Sequence, residues 1–281
     1  MRLVPLAEAH EAATFGGKAS QLAAAIGHGL PVPGGFALSP PLVDAIAEGN
    51  AAAIDRVRSV VGEAGGCVAV RSSAIGEDGA SASFAGQHAT ILHVRTVSEL
   101  IDAIQRVWAS GRSESAMAYR GRLGIIGAPR MAVVVQELVD AECAGVLFTR
   151  APMTGLDERV IEAAWGLGEI VVAGLVTPDR YRISRTGEIL ERSPGEKDIA
   201  IRPSLDGGTM EVPVEEHLIN APCLDDARLG QLHALASACE EHHDGPHDIE
   251  FAFTRDRLYL LQRRAITRSS QSSATTRSAR G

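Results

Sequence analysis

The sequence has little of what membrane, secreted or nucleic-acid-binding proteins need. No apolar run approaches the ~18 residues that a membrane helix requires, and the N-terminus, MRLVPL, is not a signal peptide. Aromatic residues make up only 4% of the chain, and Lys and Arg form no long run. The chain therefore lacks the means to stack on bases or to hold nucleic-acid phosphates, and we expect neither a nucleic-acid nor a membrane partner.

Cysteine is also scarce. The four cysteines form no C-x-x-C pair and are scattered at Cys67, Cys143, Cys223 and Cys239. This spacing favours reduced thiols and a soluble cytoplasmic protein. The remaining composition, 45% hydrophobic and 22% charged with a net charge of -8, is that of a globular protein. A length of 281 residues allows one large domain or two lobes that share a cleft.

Apolar residues recur with helical and strand periods in turn. The predicted helices cover residues 18–27, 41–61, 97–108 and 224–242. Short β-branched runs predominate from residue 131 onward, and a hairpin is predicted near the end of the core, at residues 248–264. We therefore predict an α+β protein with an N-terminal lobe at residues 1–129, helical to about residue 125, and a sheet-rich C-terminal lobe at residues 130–268. The tail at 269–281 has almost nothing apolar to bury and is predicted to be disordered.

A glycine pair precedes a lysine in FGGKASQL, where the first helix is predicted to begin. Glycines let the backbone approach a phosphate closely, and Lys18 adds a positive charge. The segment is not a P-loop, because Ala12 occupies the first glycine position and Ala19 follows the lysine. A glycine turn with a solvated lysine is the alternative interpretation.

Arg71 ends a short apolar strand, so a rigid element directs its guanidinium group. A long Gly-, Ala- and Ser-rich segment follows, with Phe84 as its only large residue. Such a segment costs little to move and could close over a nucleotide as a lid. A plain surface loop is the alternative.

The predicted C-terminal hairpin carries Glu250 in an apolar strand, where a carboxylate is costly unless a cation meets it. Period-two alternation puts Gln262 and Arg264 on one face of the next strand, and the hairpin can bring Glu250 beside them. A carboxylate, an amide oxygen and a guanidinium group together can hold Mg²⁺ and a triphosphate. A cross-strand ion pair between Glu250 and Arg264 is the alternative.

Three further segments contain residues with a possible bearing on function. The β-branched strand MAVVVQELV can offer backbone groups to an adenine edge, although it is also a core strand. EAAWGLGEIVVAG combines a Gly-x-Gly turn with Glu169, a further candidate for nucleotide binding. HHDGPH, at residues 242–247, is typical of a solvated turn, since no regular ligand spacing accompanies its histidines.

Five motifs occur in the order seen in one family. They are FGGKASQLAAAIGHGLPVPGGFALS, VAVRSSAIGEDGASASFAGQ, MAVVVQELV with AGVLFTRAPMTG, VIEAAWGLGEIVVAGLVTPDRY, and HDIEFAFTRDRLYLLQRRAIT. Over about residues 14–267 the chain resembles the ATP-binding domain of phosphoenolpyruvate synthases, which pyruvate phosphate dikinases and rifamycin phosphotransferases share. The resemblance implies an ATP-grasp-like fold in which two lobes hold ATP between them.

The resemblance also implies roles for particular residues. Phosphates would contact Lys18, Arg71 and Arg264, which are the expected catalytic residues. The closing loop would contain Ser83, Phe84, Ala85, Gly86 and Gln87. The adenine hinge would contain Gln136, Glu137, Leu138 and Val139. Mg²⁺ would be held by Glu250 and Gln262.

In the family, ATP phosphorylates a histidine on a separate swivelling domain, which carries the phosphoryl group to pyruvate or another small acceptor. The synthase and rifamycin branches pass on the β-phosphate and release AMP and inorganic phosphate. The resemblance therefore implies an ATP-dependent phosphotransferase component that is incomplete alone and needs a phosphohistidine domain, in the same chain or as a partner. One alternative is a nucleotide-binding module that has lost catalysis. A second is a structural or interaction protein without nucleotide, which the cationic and Mg²⁺-ready side chains disfavour.

Several positions depart from the family pattern. None of the nine histidines lies in a Gly-Gly-x-x-Ser-His-Ala-like context, and the chain ends where the linker to the swivelling domain would begin. Ser115 stands where relatives usually place an arginine that can reach ATP, and Arg112 is a candidate substitute one turn away. Ala151 replaces an Asp or Asn, and Ala265 replaces a proline. Ser115 is the departure expected to affect phosphate handling most.

Overall fold

A computed structural model describes residues 1–76, 89–122, 124, 127–242 and 245–266. The helices are α1 (Ala12–Gly27), α2 (Pro40–Ala47), α3 (Ala51–Arg56), α4 (Val60–Glu63), α5 (Val97–Ser110), α6 (Glu114–Arg122), α7 (Glu169–Val172) and α8 (Asp226–His242). The strands are β1 (Leu3–Pro5), β2 (Gly35–Leu38), β3 (Val68–Ala74), β4 (Thr90–Val94), β5 (Met131–Glu137), β6 (Cys143–Phe148), β7 (Glu158–Trp165), β8 (Asp179–Ser184), β9 (Ile189–Ser193), β10 (Ile199–Pro203), β11 (Thr209–Pro213), β12 (His247–Phe253) and β13 (Leu258–Ala265).

The first sheet has five strands in the order β1-β2-β5-β3-β4, and each neighbouring pair is antiparallel. Its central strand β5 is buried on both faces, and alternate residues serve two different cores. Val134 packs into a core with Phe15 of α1, whereas Val133 and Val135 pack into a core that α2 and α5 also form. The sheet is therefore a layer between α1 and the other N-terminal helices.

The second sheet has six strands in the order β13-β12-β6-β7-β8-β9, and its neighbouring strands are also antiparallel. Leu229 and Leu232 of α8 share a core with Ile249 and Phe251 of this sheet and with Leu22 of α1. β10 and β11 form a separate two-stranded sheet. Helix α1 thus joins the packing of both large sheets, which holds the two halves of the molecule together.

The four predicted helical regions and the hairpin near residue 250 are present, with two differences, and α6 and α7 were not predicted. The region 41–61 is three short helices and not one, because Gly49 has a φ of 78° and Asn50 caps α3 through a 3.0 Å bond from the N–H of Ala53. The first helix begins earlier than predicted, at Ala12, and contains a kink at Gly16.

The division of the strands differs from the predicted lobes. Strand β5 pairs with β2 and β3, so it belongs to the first sheet and not to a lobe that begins at residue 130. The N-terminal part is also less helical than predicted, since β1 to β4 lie within it. The chain passes to the second sheet at residues 138–142. The predicted disordered tail at 269–281 lies outside the described residues.

The mixture of helices and antiparallel sheets confirms the α+β prediction. Among the described residues, no helix combines the length and the apolar character that crossing a bilayer would require.

Candidate functional site

A cleft of about 550 Å³ opens between the two large sheets. This volume falls within the ~300–1,000 Å³ typical of small-molecule sites. Part of the lining is polar and comprises Lys18, Arg71, Gln136, Glu250, Gln262 and Arg264. Another part is apolar and comprises Leu92, Leu138, Val139, Leu167, Ile201 and Leu261, which belong to or pack against one hydrophobic cluster. The cleft therefore offers a charged group of side chains and an apolar group within one space.

Lys18 reaches the cleft because α1 is kinked before it. Gly16 interrupts the helix with a φ of 81° and a ψ of 167°. Ser73 of β3 fixes this kink, since its hydroxyl donates to the carbonyl oxygen of Phe15 at 2.7 Å and accepts from the N–H of Ala19 at 3.1 Å. The ammonium group of Lys18 then donates to the carbonyl oxygen of Ser72 at 2.6 Å. Gly16, the first glycine of the pair, thus sets the direction of the helix, in addition to the close approach to a ligand that glycines allow.

Arg71 extends from the first sheet to the second. Its Nη2 donates to Glu250 Oε2 and to Gln262 Oε1, each at 2.8 Å, and its Nη1 donates to the carbonyl oxygen of Leu261 at 2.6 Å. Nη1 also lies 3.4 Å from Gln136 Oε1. The side chain is only 10% exposed, so these charge-assisted bonds are formed away from bulk water. Arg71 is therefore a link across the base of the cleft.

Glu250 and Gln262 lie directly opposite each other on β12 and β13, as the hairpin pattern predicted. Burial raises the pKa of Glu250, but the charges of Arg71, Arg264 and Lys18 outweigh this effect and hold the pKa below its ordinary value. Arg264 Nη2 lies 3.4 Å from Glu250 Oε1. The ion pair between Glu250 and Arg264, the alternative to a ligand site, is thus present, together with a shorter ion pair between Glu250 and Arg71.

One carboxylate and one amide oxygen on neighbouring strands suit Mg²⁺. This ion takes oxygen ligands, keeps several waters, and is usually held by one or two carboxylates together with substrate phosphates. Among the described residues, no group of three or more His, Cys, Asp or Glu could hold a metal. The donor set of Glu250 and Gln262 therefore fits a metal that arrives with phosphates better than one held by the protein alone.

The backbone N–H groups of the predicted hinge differ in their hydrogen bonding. The N–H of Glu137 donates to Gly34 at 2.8 Å, and the N–H of Leu138 donates to Cys67 at 2.9 Å. The N–H of Val139 makes no hydrogen bond to any other described residue. The side chain of Gln136 is 2% exposed and donates to the carbonyl oxygen of Pro33 at 3.3 Å. Val139 is thus the hinge residue with a donor to offer, whereas Gln136 supports Arg71.

Glu169 begins α7 and lines the cleft. Burial raises its pKa, and a hydrogen bond from Thr209 at 3.4 Å opposes that shift. Leu167 and Val172, close to it in sequence, also line the cleft and are apolar. Glu169 therefore supplies an acceptor beside the apolar part of the cleft.

Arg112 and Ser115 are not among the residues that line the cleft. Arg112 lies over the ring of Trp108 at 3.8 Å and pairs with Asp44 at 3.3 Å, so it does not substitute for an arginine at residue 115. Ser115 is exposed and contacts Ser113. The predicted closing loop, with Ser83, Phe84, Ala85, Gly86 and Gln87, lies outside the described residues.

The sequence reasoning missed most of the apolar lining. Leu92, Leu261 and Ile201 come from three different elements, β4, β13 and β10, and no local motif connects them. Gly145 also lines the cleft, and a Cβ atom there would lie 2.0 Å from the carbonyl oxygen of Glu162. The glycine within AGVLFT was a signal for such a close approach, whereas the apolar residues gave none.

Comparison with known proteins identifies the family of this chain. Residues 38–280 match the family described as pyruvate phosphate dikinase, AMP/ATP-binding domain. A probable phosphoenolpyruvate synthase from Methanothermobacter thermautotrophicus is 43% identical over 202 residues, which cover 71% of this chain and 29% of the relative. A rifampicin phosphotransferase from a Streptomyces species is 42% identical over 202 residues, with coverages of 71% and 23%.

More distant likenesses extend further along the chain. The uncharacterized phosphotransferase YvkC of Bacillus subtilis is 34% identical, covering 89% of this chain and 34% of the relative. The solved structure of D-alanyl-alanine synthetase A from Vibrio cholerae is 13% identical with a TM-score of 0.42, covering 92% of this chain and 57% of that one. The chain spans only 23% to 34% of the length of the three curated relatives. By its match over residues 38–280, the chain belongs to the family of the pyruvate phosphate dikinase AMP/ATP-binding domain.

Proposed function

We propose that this chain binds MgATP in the cleft and phosphorylates a histidine on a separate swivelling domain. The phosphoryl group would then pass to pyruvate or another small acceptor. In this reaction a histidine nitrogen bonds to the β-phosphorus while the bond between the α- and β-phosphates breaks and AMP leaves. Water then cleaves the bond between the β- and γ-phosphates and releases inorganic phosphate. The proposal includes a cytoplasmic location and no nucleic-acid or membrane partner.

The observation that carries the proposal is the grouping of Lys18, Arg71 and Arg264 around Glu250 and Gln262. Phosphoryl transfer has a loose transition state whose charge spreads over the phosphate oxygens, so fixed cations supply most of the catalysis. When bound, Mg²⁺ would supply further charge neutralisation and would be held by Glu250 and Gln262. The three cationic side chains would bind and orient the triphosphate.

The base and ribose would occupy the apolar part of the cleft. Val139 would donate its N–H to the adenine edge, and Leu92, Leu167 and Ile201 would exclude water from the ring. Glu169 would accept from a ribose hydroxyl, because it lies in the same part of the wall. The loop at 83–87 remains part of the proposal through the family resemblance alone.

Calorimetric titration of MgATP into the chain tests the first step. Lys18→Ala and Glu250→Ala should each abolish or strongly weaken binding, while Arg112→Met, outside the cleft, should leave it unchanged. Absence of binding by the intact chain would refute the proposal. The second step requires a separately produced histidine-bearing domain of a relative and ATP labelled at the β-phosphate. Transfer of label to a histidine is the expected result.

A nucleotide-binding module without transfer is the second candidate. It is favoured by the exposure of Ser115 and by the engagement of Arg112 with Asp44, since neither supplies the arginine that relatives place at residue 115. Under this alternative MgATP binds but no partner histidine is labelled. Ser115→Arg should then restore some transfer, whereas under the first proposal the unaltered chain already transfers.

A further inference from the structure

Arg71 and a divalent cation would use the same oxygen atoms. Nη2 of Arg71 is 2.8 Å from Glu250 Oε2 and 2.8 Å from Gln262 Oε1, the two side chains whose chemistry suits Mg²⁺. A guanidinium group at these distances neutralises the carboxylate and occupies lone pairs that a metal would need. The same side chain that would bind phosphate thus already satisfies both candidate metal ligands.

The position of Arg71 is fixed from both sides of the cleft. On the second sheet, the carbonyl oxygen of Leu261 accepts from Nη1 at 2.6 Å. On the first sheet, Gln136 donates through its amide nitrogen to Pro33, which turns its Oε1 toward Arg71 at 3.4 Å. This support makes the guanidinium a well-placed occupant of the ligand pair.

Charge around Glu250 also disfavours a metal without phosphates. Its carboxylate lies 2.8 Å from Arg71 and 3.4 Å from Arg264, and Lys18 lines the same cleft. A dication that enters alone must compete with these cations for Glu250, whereas a polyphosphate is attracted by them. The site therefore favours a metal that arrives with a polyphosphate over the metal alone.

Arg71 also has an unused donor. Its Nε is buried and has no hydrogen-bond partner among the described residues. Guanidinium groups often bind phosphates through two parallel hydrogen bonds. A phosphate in the cleft could therefore accept from the Nε of Arg71 as well as from one of its Nη atoms. Movement of the guanidinium group toward a phosphate would leave Glu250 and Gln262 with lone pairs for a metal.

We propose that Arg71 holds the oxygen atoms of Glu250 and Gln262 until nucleotide phosphates draw its guanidinium group away, so that the metal enters only together with the nucleotide. The proposal rests on the proposed ATP site and assigns Arg71 a second role there. Besides contacting phosphate, it keeps the metal ligands closed to free cations.

The test measures binding of Mn²⁺, a paramagnetic substitute for Mg²⁺, by electron paramagnetic resonance of the full chain. Without nucleotide, Arg71→Met should bind Mn²⁺ at least about 10-fold more tightly than the unaltered chain, because the competing state is removed. Arg112→Met, an arginine paired with Asp44 outside the cleft, is the matched control and should behave as the unaltered chain. Adding Glu250→Gln to Arg71→Met should abolish the gain.

A second part of the test adds nucleotides to the unaltered chain and needs no variant. A non-hydrolysable ATP analogue should induce Mn²⁺ binding to the protein, whereas AMP, which lacks the β- and γ-phosphates, should not. Equal Mn²⁺ affinity of the unaltered chain and Arg71→Met without nucleotide would overturn the proposal. So would a gain in Arg71→Met that persists with Glu250→Gln.

Two further measurements keep the outcomes separate. If Arg71→Met fails to fold, Arg71→Lys replaces it, because lysine keeps the positive charge but cannot bridge both oxygens in the same way. Its Mn²⁺ affinity should lie between those expected for the unaltered chain and for Arg71→Met. A Mn²⁺ affinity equal to that of the unaltered chain would count against the proposal. Calorimetry with MgATP on the same unaltered sample distinguishes the two levels. Absence of ATP binding defeats the proposed function, whereas ATP binding with tight prior Mn²⁺ binding defeats only the role of Arg71.

Discussion

The backbone of Gly16 lies against the carbonyl oxygen of Ser73, so closely that a Cβ atom at residue 16 would stand 1.9 Å from that oxygen. Gly16 also has a φ of 81°, which side chains rarely permit. This contact joins the kink in α1 to β3, the strand that carries Arg71. The positions of Lys18 and Arg71 are consequently coupled through one tight packing contact.

Gly16→Ala should destabilise the chain by more than ~1–3 kcal/mol, because strained backbone and a steric clash act together. Binding of MgATP should also weaken, since Lys18 follows the kink. Denaturant unfolding and calorimetry check the two effects. Gly27→Ala in the same helix is the control, as a Cβ there meets nothing within 4 Å, and it should be neutral or slightly stabilising.

The low pKa of Glu250 makes a prediction about acid stability. A carboxylate with a lowered folded pKa contributes stability above its unfolded value of about 4.3, and loses that contribution as the pH falls through the lower folded value. The chain should therefore be more stable than Glu250→Gln near pH 7, and the difference should shrink below about pH 4. Thermal unfolding of both proteins across this range measures it. A difference that does not change with pH contradicts the assignment.

Lys197 forms a fully buried ion pair with Asp179, the first residue of β8. Asp179 also accepts from the N–H groups of Gly195 and Cys223 at 2.8 and 2.7 Å. Lys197→Met should cost about 3–5 kcal/mol, because it leaves a buried carboxylate without its cation. Asp55→Asn, which breaks the exposed pair with Arg58, should have no measurable effect on denaturant unfolding. Equal stability of the two variants contradicts the prediction.

The N–H of Val139, which has no acceptor among the residues that the structure describes, predicts an effect of proline at the hinge. Val139→Pro removes this donor and should weaken MgATP binding several-fold, in line with the ~0.5–1.5 kcal/mol of one hydrogen bond. Val139→Ala keeps the donor and should bind nearly as the unaltered chain. Circular dichroism of both variants checks that the fold is intact. Identical affinities for proline and alanine would remove Val139 from the proposed hinge.

Local patterns in the sequence were sufficient where partners are close along the chain. Glu250 and Gln262 were predicted side by side because a hairpin fixes its own register, and the structure pairs them directly. The direct bond from Arg71 to Glu250 was not predicted. It joins residues 179 positions apart, and periodicity carries no information on such contacts.

The sheet membership of β5 shows the same limit. Its β-branched residues predicted a strand correctly, but the partners that place it in the first sheet, such as Phe36 opposite Val135, lie far away in sequence. Likewise, Ile201 enters the cleft wall because a distant two-stranded sheet packs there. Tertiary packing, and not local propensity, decided these positions.

The passage between the two sheets at residues 138–142 is also a wall of the cleft. Any rotation of one sheet relative to the other must turn the peptide groups of this segment, and with them the Val139 N–H. Under the proposed contact between Val139 and adenine, a change in the angle between the two sheets would therefore change the affinity for the base. A change far from the cleft that alters how α1 packs between the sheets would tune nucleotide affinity without touching the nucleotide.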